Sequence, residues 1–345
     1  MSPTSTPTST STSTLATATA TATAIMPAPA PEVAAFAGVR RRVAAFMVDS
    51  LVLGVVGWAL GLALFDVFVR MGPWGRCVGF VVALAYFVGQ ESAPGGQSPG
   101  KRLLRIRVVD AQGRSLRPAR GAVRFAVLGV PWFLSGAAIP MKLAMAAGGV
   151  PFALVGAGGL AALAYLLVFN RRTRQSLHDL AVGAFVVRAA ADAPRVPGHV
   201  RAWRGHVAIA AVLALLAGVF PLWLSARPLP ADLLALDLRL SARPELESVG
   251  VSEQVSTRFG LAGAGTQRVL LIRATIAAPL DDDVPLSVRL AGIALDTYAA
   301  ARQQDRISVQ LAHGFDIGIA AQWRANELAL TPAQWADRVA AGVGG

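Results

Sequence analysis

The chain has 345 residues, of which 54% are hydrophobic and 15% charged, with a formal net charge of +12 and a single cysteine, Cys77. That balance is too apolar for a soluble globular protein, and one cysteine excludes an internal disulfide framework or a cysteine-ligated metal. The basic excess does not read as a nucleic-acid surface: residues 1–228 hold 22 Lys+Arg against 7 Asp+Glu, in loops without interleaved aromatics, while residues 229–345 hold 10 against 13.

Residues 1–35 are Ser/Thr/Pro/Ala repeats with almost no charge. Such a tract cannot bury a core and is expected to be disordered. It lacks the basic and Leu-rich regions of a signal peptide, and Met26 is an alternative initiator.

Arg40-Arg41-Arg42 then opens a first apolar span, about Val43–Val69, broken by one early acid, Asp49. About 20 apolar residues at 1.5 Å rise cross roughly 30 Å of hydrocarbon. Arg42 and Asp49 are seven residues apart, so two helical turns bring them to one face, with Asp49 ~10 Å further into the membrane. An ionised carboxylate there costs on the order of 2.5–3.5 kcal/mol, so it needs a partner. A second span, about Trp74–Gln90, returns after a short turn.

Residues 91–120 form a basic loop in which Leu103–Val109 alternates and Asp110–Gly113 reads as a turn, so a short β-hairpin is expected there. Arg124–Pro140 and Val150–Val168 are the third and fourth spans, with Pro131 and Pro151 as kink sites. Asn170–Arg204 is a second basic loop, and Val207–Ser225 a fifth span. The flank before the first span and the two long loops carry 17 of the 22 basic residues of this half. By the positive-inside rule the N-terminus is cytoplasmic, and five spans put the C-terminal part outside the cell membrane.

Residues 229–345 change character, with more charge and shorter apolar runs. Strands are expected at Leu234–Leu240, Val249–Phe259, Arg268–Ala277, Leu286–Leu290, Arg306–Ala312 and Phe315–Ala320, and a helix over Ala294–Gln304. Thr331-Pro332-Ala333-Gln334 carries an N-cap, Pro at the first helical position and a capping-box Gln, so a last helix begins there. The fold class is therefore an α-helical polytopic membrane bundle of about five transmembrane helices, with a C-terminal α+β soluble domain. Its parts are a tail (1–35), a membrane domain (36–190), a basic linker with the fifth span (191–228) and an extracytoplasmic domain (229–345).

Gly95-x4-Gly100-Lys101 has the outline of a phosphate-binding loop, but Arg102 stands where Ser or Thr should hold Mg²⁺. Three ordered motifs carry a resemblance instead. They are Arg42…Asp49, then Gly96-Gln97-Ser98-Pro99-Gly100-Lys101-Arg102-Leu103-Leu104 with Arg107-Val108-Val109-Asp110, then Asn170-Arg171-Arg172…Gln175-Ser176-Leu177-His178-Asp179. Together they resemble the RDD family of membrane proteins over about residues 36–190. The family's arginine and two aspartates carry over to Arg42, Asp49 and Asp179. Arginine outnumbers lysine 30 to 2 and alanine is abundant, a bias expected of a GC-rich bacterial genome and hence of an inner-membrane location. For activity, the resemblance implies either transport of small solutes or ions or the assembly of membrane complexes. It implies nothing about the C-terminal domain.

Asp49 admits two readings: a carboxylate that binds and releases a proton or cation, or an ionised group paired with Arg42 or its neighbours to lock helix packing. Asp179 is a partner for Arg42, a proton donor with His178, or a cap before the apolar run Leu180–Val187, which could pair with Leu103–Val109. Gly100, Lys101 and Arg102 offer loop contacts or contacts to lipid phosphates, and charge that sets topology. Asp281-Asp282-Asp283 lacks the spaced oxygen ligands of a calcium loop, and the four histidines lack metal-ligand spacing. No cofactor, metal or catalytic constellation is expected. The partners expected are the lipid bilayer and a membrane-protein partner or a second copy of the chain, not nucleic acid. Two functions follow: a non-enzymatic scaffold that anchors or senses through its exterior domain, or a transporter working through Asp49.

Overall fold

The computed structural model describes residues 1, 36–137, 149–189, 204–225, 230–260 and 263–342. The tail expected to be disordered, the end of the third expected span and most of the linker lie outside them.

The first helix, α1 (Val39–Ala63), starts four residues earlier than the apolar run, with the three arginines inside its first turns. It breaks at Leu64, α2 (Phe65–Met71) follows, and Gly72 and Pro73 turn the chain into α3 (Gly75–Ser92). Among the described residues, three stretches are long and apolar enough to cross a membrane: Val39–Ala63, Phe65–Ser92 and Val150–Phe169. Met47, Leu51, Val55, Trp58 and Leu62, spaced three or four apart on α1, are exposed. A helix that turns such a stripe outward is built to contact lipid.

The basic loop after α3 departs from the expected local hairpin. Its first part is a short helix, α4 (Pro99–Leu103), and strand β1 (Ile106–Val109) follows. The strand's partner is β2 (Phe185–Arg188), antiparallel and nearly 80 residues later. Asp110 still makes the turn, its carboxylate accepting from the Gln112 and Arg114 backbone N–H groups at 2.9 Å.

Helix α5 (Pro118–Ser135) begins before Arg124 and carries Pro131 within it. Helix α6 (Val150–Phe169) takes Pro151 in its first turn, where a missing N–H costs nothing, and loosens into a π turn over Leu154–Gly158. A short helix, α7 (Leu177–Val182), precedes β2, and α8 (Arg204–Ser225) packs on α6, where Gly158 and Gly218 let the backbones approach.

The C-terminal domain is α+β, with two elements exchanged relative to expectation. Leu234–Leu240 lies in a helix, α9 (Ala231–Ser241), which buries Leu233, Leu236 and Leu240 at three- and four-residue spacing. Leu286–Leu290 lies in α10 (Asp283–Thr297), opened by Asp283 rather than by a metal loop. The sheet runs β3 (Leu246–Gly260), β4 (Gly263–Ile276), β5 (Arg306–Asp316), β6 (Ala321–Leu330). Only β4–β5 is parallel, and α10 lies in its crossover. The last helix, α11 (Pro332–Ala340), starts at Thr331 as its cap predicts. It buries Trp335 completely, with the indole N–H donating to the Ile307 carbonyl at 2.9 Å.

The expected strand Phe315–Ala320 is instead the tip of the β5–β6 hairpin. Ile317 N–H donates to the Ala320 carbonyl at 3.0 Å, and the Gly318 N–H to the Asp316 carboxylate at 2.7 Å.

Candidate functional site: a buried charge ladder and a hairpin wedge

Six charged side chains lie buried at the Arg42 end of the bundle. Asp49 is fully buried on α1, and its carboxylate accepts three hydrogen bonds: Tyr86 hydroxyl at 2.9 Å, Gly100 N–H at 2.8 Å and Ser98 hydroxyl. Gly100 is needed for that approach, because a Cβ there would lie 2.2 Å from the Ala45 carbonyl oxygen. Pro99 sets the first helical φ of α4, so the next N–H points at the acid.

Lys101 lies 3.9 Å from Asp49 and donates to Glu91 at 2.8 Å, its ammonium 5.2 Å from the Phe87 ring centroid. Glu91 also takes both oxygens to Arg124, at 2.8 and 2.7 Å. Arg124 turns its other nitrogens to Asp179, at 2.9 and 2.7 Å, and Asp179 is bonded by Arg42 on its second oxygen. The order Asp49, Lys101, Glu91, Arg124, Asp179, Arg42 alternates in sign, three acidic against three basic side chains, and ties together α1, α3, α4, α5 and α7.

Asp49 is thus not the partner of Arg42. The arginine is taken up by Asp179 and the Arg174 carbonyl, and Asp49 is held by the Ser98–Lys101 segment. Asp179 meets Arg42 and also opens its own helix, accepting from the Ser176 N–H at 3.2 Å. Lys101 is buried and paired, which withdraws it from any lipid phosphate, whereas Arg102 is exposed. Glu91 and Arg124, half the middle of the ladder, are the members that sequence reasoning missed.

The Asp179 carboxyl is fully buried, which on its own would raise it, but the Arg42 and Arg124 guanidinium groups hold it well below the usual carboxylate range. His178 Nε2 lies 3.3 Å from Asp179. Burial, helped by Arg124 and Arg42, outweighs that carboxylate and pushes the imidazole down to about 3, so the ring is neutral. A cavity of about 250 Å³ runs beside the ladder, between α1, α5 and α6.

At the other end of α1 the C-terminal domain reaches into the bundle. The hairpin tip lies between α1 and α3, against Gly57 and Gly61 on one side and Gly75 and Gly79 on the other. The fit leaves no room for side chains: a Cβ on Gly79 would stand 1.7 Å from the Ile317 carbonyl oxygen, and one on Gly61 2.3 Å from the Phe315 ring. Arg76 pins the tip, donating to the Asp316 carboxylate at 2.6 Å and the Phe133 carbonyl at 2.8 Å. Phe315, Ile317, Phe68 and Val69 form one buried cluster. Gly54, opposite the Ile319 carbonyl, is nine residues inside α1 from its end, ~14 Å of helix.

Helices with a lipid-facing stripe, a fully paired ladder of buried charge at one end and a packed interior define an integral membrane protein region. Residues 36–183 match the RDD family model, and this part of the chain is an RDD-family membrane region. No curated protein and no solved structure gave a match.

Proposed function

We propose that the chain is a five-pass bacterial inner-membrane protein, cytoplasmic at its N-terminus, whose exterior domain is held rigidly on the bundle so as to anchor or sense a partner, without enzymatic activity. α5 and the shorter apolar helix α8 supply the two further crossings. The observation that carries the reading is the hairpin wedge. Irregular backbone is tolerated at membrane depth only where protein buries it, and here glycine faces on two helices do so. The domain lies at the opposite end of α1 from Arg40–Arg42, which agrees with the positive-inside assignment. A domain tied this closely transmits load or a change of state to the helices, which a flexible tether does not. The test is co-purification after gentle solubilisation. A partner should be recovered with the full chain and lost when the hairpin is displaced by Gly79→Val; recovery of the protein alone overturns the reading.

The alternative is cation, proton or small-solute transport. It draws on one observation, that Asp49 lines the cavity. Reconstituted vesicles should then show ion- or pH-gradient flux that Asp49→Asn abolishes; equal flux in the variant removes Asp49 from the pathway.

A further inference from the structure

The cavity beside the ladder has two unlike surfaces. One is apolar, built from Val43 and Phe46 on α1, Leu128 and Trp132 on α5, and Leu163 and Leu167 on α6. The other is the ladder, of which all members but Asp179 line the space. Apolar cavities of ~150 Å³ already stay dry and take up apolar guests, and this one is about 250 Å³. A second cavity, about 160 Å³, shares Phe46, Phe87, Phe125, Leu128 and Trp132 with the first and ends on Gly318 and Ile319 of the hairpin tip. Through that shared lining the two form an apolar trough along α5 from the ladder to the wedge.

The polar end states what head group the chain carries. The ladder balances three acids with three bases, each already paired, so a guest with net charge would add an unmatched charge in a low-dielectric site. Among the described residues that line this cavity, one buried side-chain polar atom has no hydrogen-bond partner: His178 Nδ1, in a side chain 8% exposed. With the Nε2 proton directed to Asp179, Nδ1 carries a lone pair and accepts only. A buried acceptor without a donor is costly, and an O–H supplies one.

We propose that this trough binds a bilayer amphiphile with one long apolar chain and an uncharged hydroxyl head, its hydroxyl donating to His178 Nδ1 and its chain lying between α1, α5 and α6 toward the hairpin. The site is independent of the anchoring reading, which does not need it occupied.

The test uses the full chain in phosphatidylcholine nanodiscs and a long-chain alcohol bearing a photoreactive diazirine in its tail. Label should concentrate on α5 and α6 near Leu128, Trp132, Leu163 and Leu167. Unlabelled hexadecanol should compete about tenfold better than hexadecane, hexadecanoate or hexadecyltrimethylammonium, the worth of one hydrogen bond to a buried group. Ala164→Trp, at the cavity rim, should remove the label while leaving the melting temperature unchanged, with Leu128→Trp as the second filling variant. His178→Phe should bring the alcohol down to the level of the alkane. Label spread over the lipid-facing Met47 and Leu51 overturns the proposal, as does equal competition by all four head groups on the wild-type protein. Label that survives either folded filling variant overturns it too.

Discussion

The ladder's centre is Arg124, and replacing it by leucine tests whether these charges are held by mutual pairing. The arginine is 6% exposed and makes four hydrogen bonds, two to Glu91 and two to Asp179. Arg124→Leu leaves three acids against two bases, and both former partners lose half their neutralisation. Breaking a buried pair from one side costs about 3–5 kcal/mol because the charge left behind is uncompensated. Removing Glu91 as well restores the balance, because Asp179 keeps Arg42 and the Ser176 N–H, and Lys101 keeps Asp49. Replacing both members of a buried pair by apolar groups is often neutral. Unfolding in mixed detergent micelles should therefore show Arg124→Leu lower by ~3 kcal/mol or more, and Arg124→Leu/Glu91→Leu recovering most of that loss. A double variant as unstable as the single one, or a single variant within ~1 kcal/mol of wild type, would refute charge pairing as what holds these helices together.

Stability should depend on pH through His178. Its folded value is depressed to about 3 against an unfolded value near 6.5, so the unfolded chain takes up a proton that the folded chain refuses. That contribution is complete above about pH 6.5 and falls by up to ~1.4 kcal/mol per unit as pH drops toward 3. His178→Phe should flatten unfolding free energy between pH 6.5 and 4. Asp179, depressed below the usual carboxylate range, adds its stability above about pH 4 and gives no slope between pH 5 and 8. Gly79→Val should expel the hairpin and expose the β5–β6 turn to added protease, with the helical content of the bundle unchanged by circular dichroism. Cys77, exposed near the start of α3, should react with a membrane-impermeant maleimide in whole spheroplasts. Labelling only after lysis would reverse the orientation.

The helices were legible because a bilayer imposes a length on apolar runs that no other environment does. Boundaries moved by a few residues, toward Arg40–Arg42 in α1 and toward Pro118 in α5, since arginines can extend a span into the head-group region. The two helices read as strands show where the pattern runs out. Leu234–Leu240 alternates in twos but also places Leu233, Leu236 and Leu240 on one helical face, and a run this rich in leucine satisfies both periods. For α10 a signal was present: Pro285 suits the first turn of a helix better than the approach to a central strand. The local Leu103–Val109 hairpin failed because the strand's partner, β2, is remote; it lies in the apolar run Leu180–Val187, whose possible pairing with Leu103–Val109 the sequence did suggest.

The site was legible at its ends and not in its middle. Asp49 stood out because it interrupts an apolar span, Arg42 and Asp179 because they fill positions of the family signature, and the structure gathers all three into one network. Glu91 and Arg124 looked like residues at the ends of spans, where charge is ordinary. What makes them different is that α3 and α5 cross with both facing inward, 33 positions apart in the chain. The glycines at 54, 57 and 61, spaced at three and four, carried a signal of close approach on α1 that the sequence reading did not use. The spacing matches a helix–helix contact as well as it matches a hairpin, and only the structure identifies the occupant.

These two features divide the bundle between them. At the Arg42 end the helices are joined by charge pairs that are strong only while water is excluded and the count of signs stays even. At the other end α1 and α3 take a hairpin between them, held by surface fit and one partly exposed ion pair, Arg76–Asp316. An exposed pair of that kind is worth little beside a buried ladder. A rearrangement of the C-terminal domain is therefore expected to start at the wedge, with the ladder as the fixed point. Of the two ends, the wedge is the one a partner or ligand can shift with ordinary binding energies of a few kcal/mol. On the proposed sensing reading, a signal from the C-terminal domain runs through Phe315–Ala320, and Gly79→Val, which displaces that tip, should silence it without loosening the ladder.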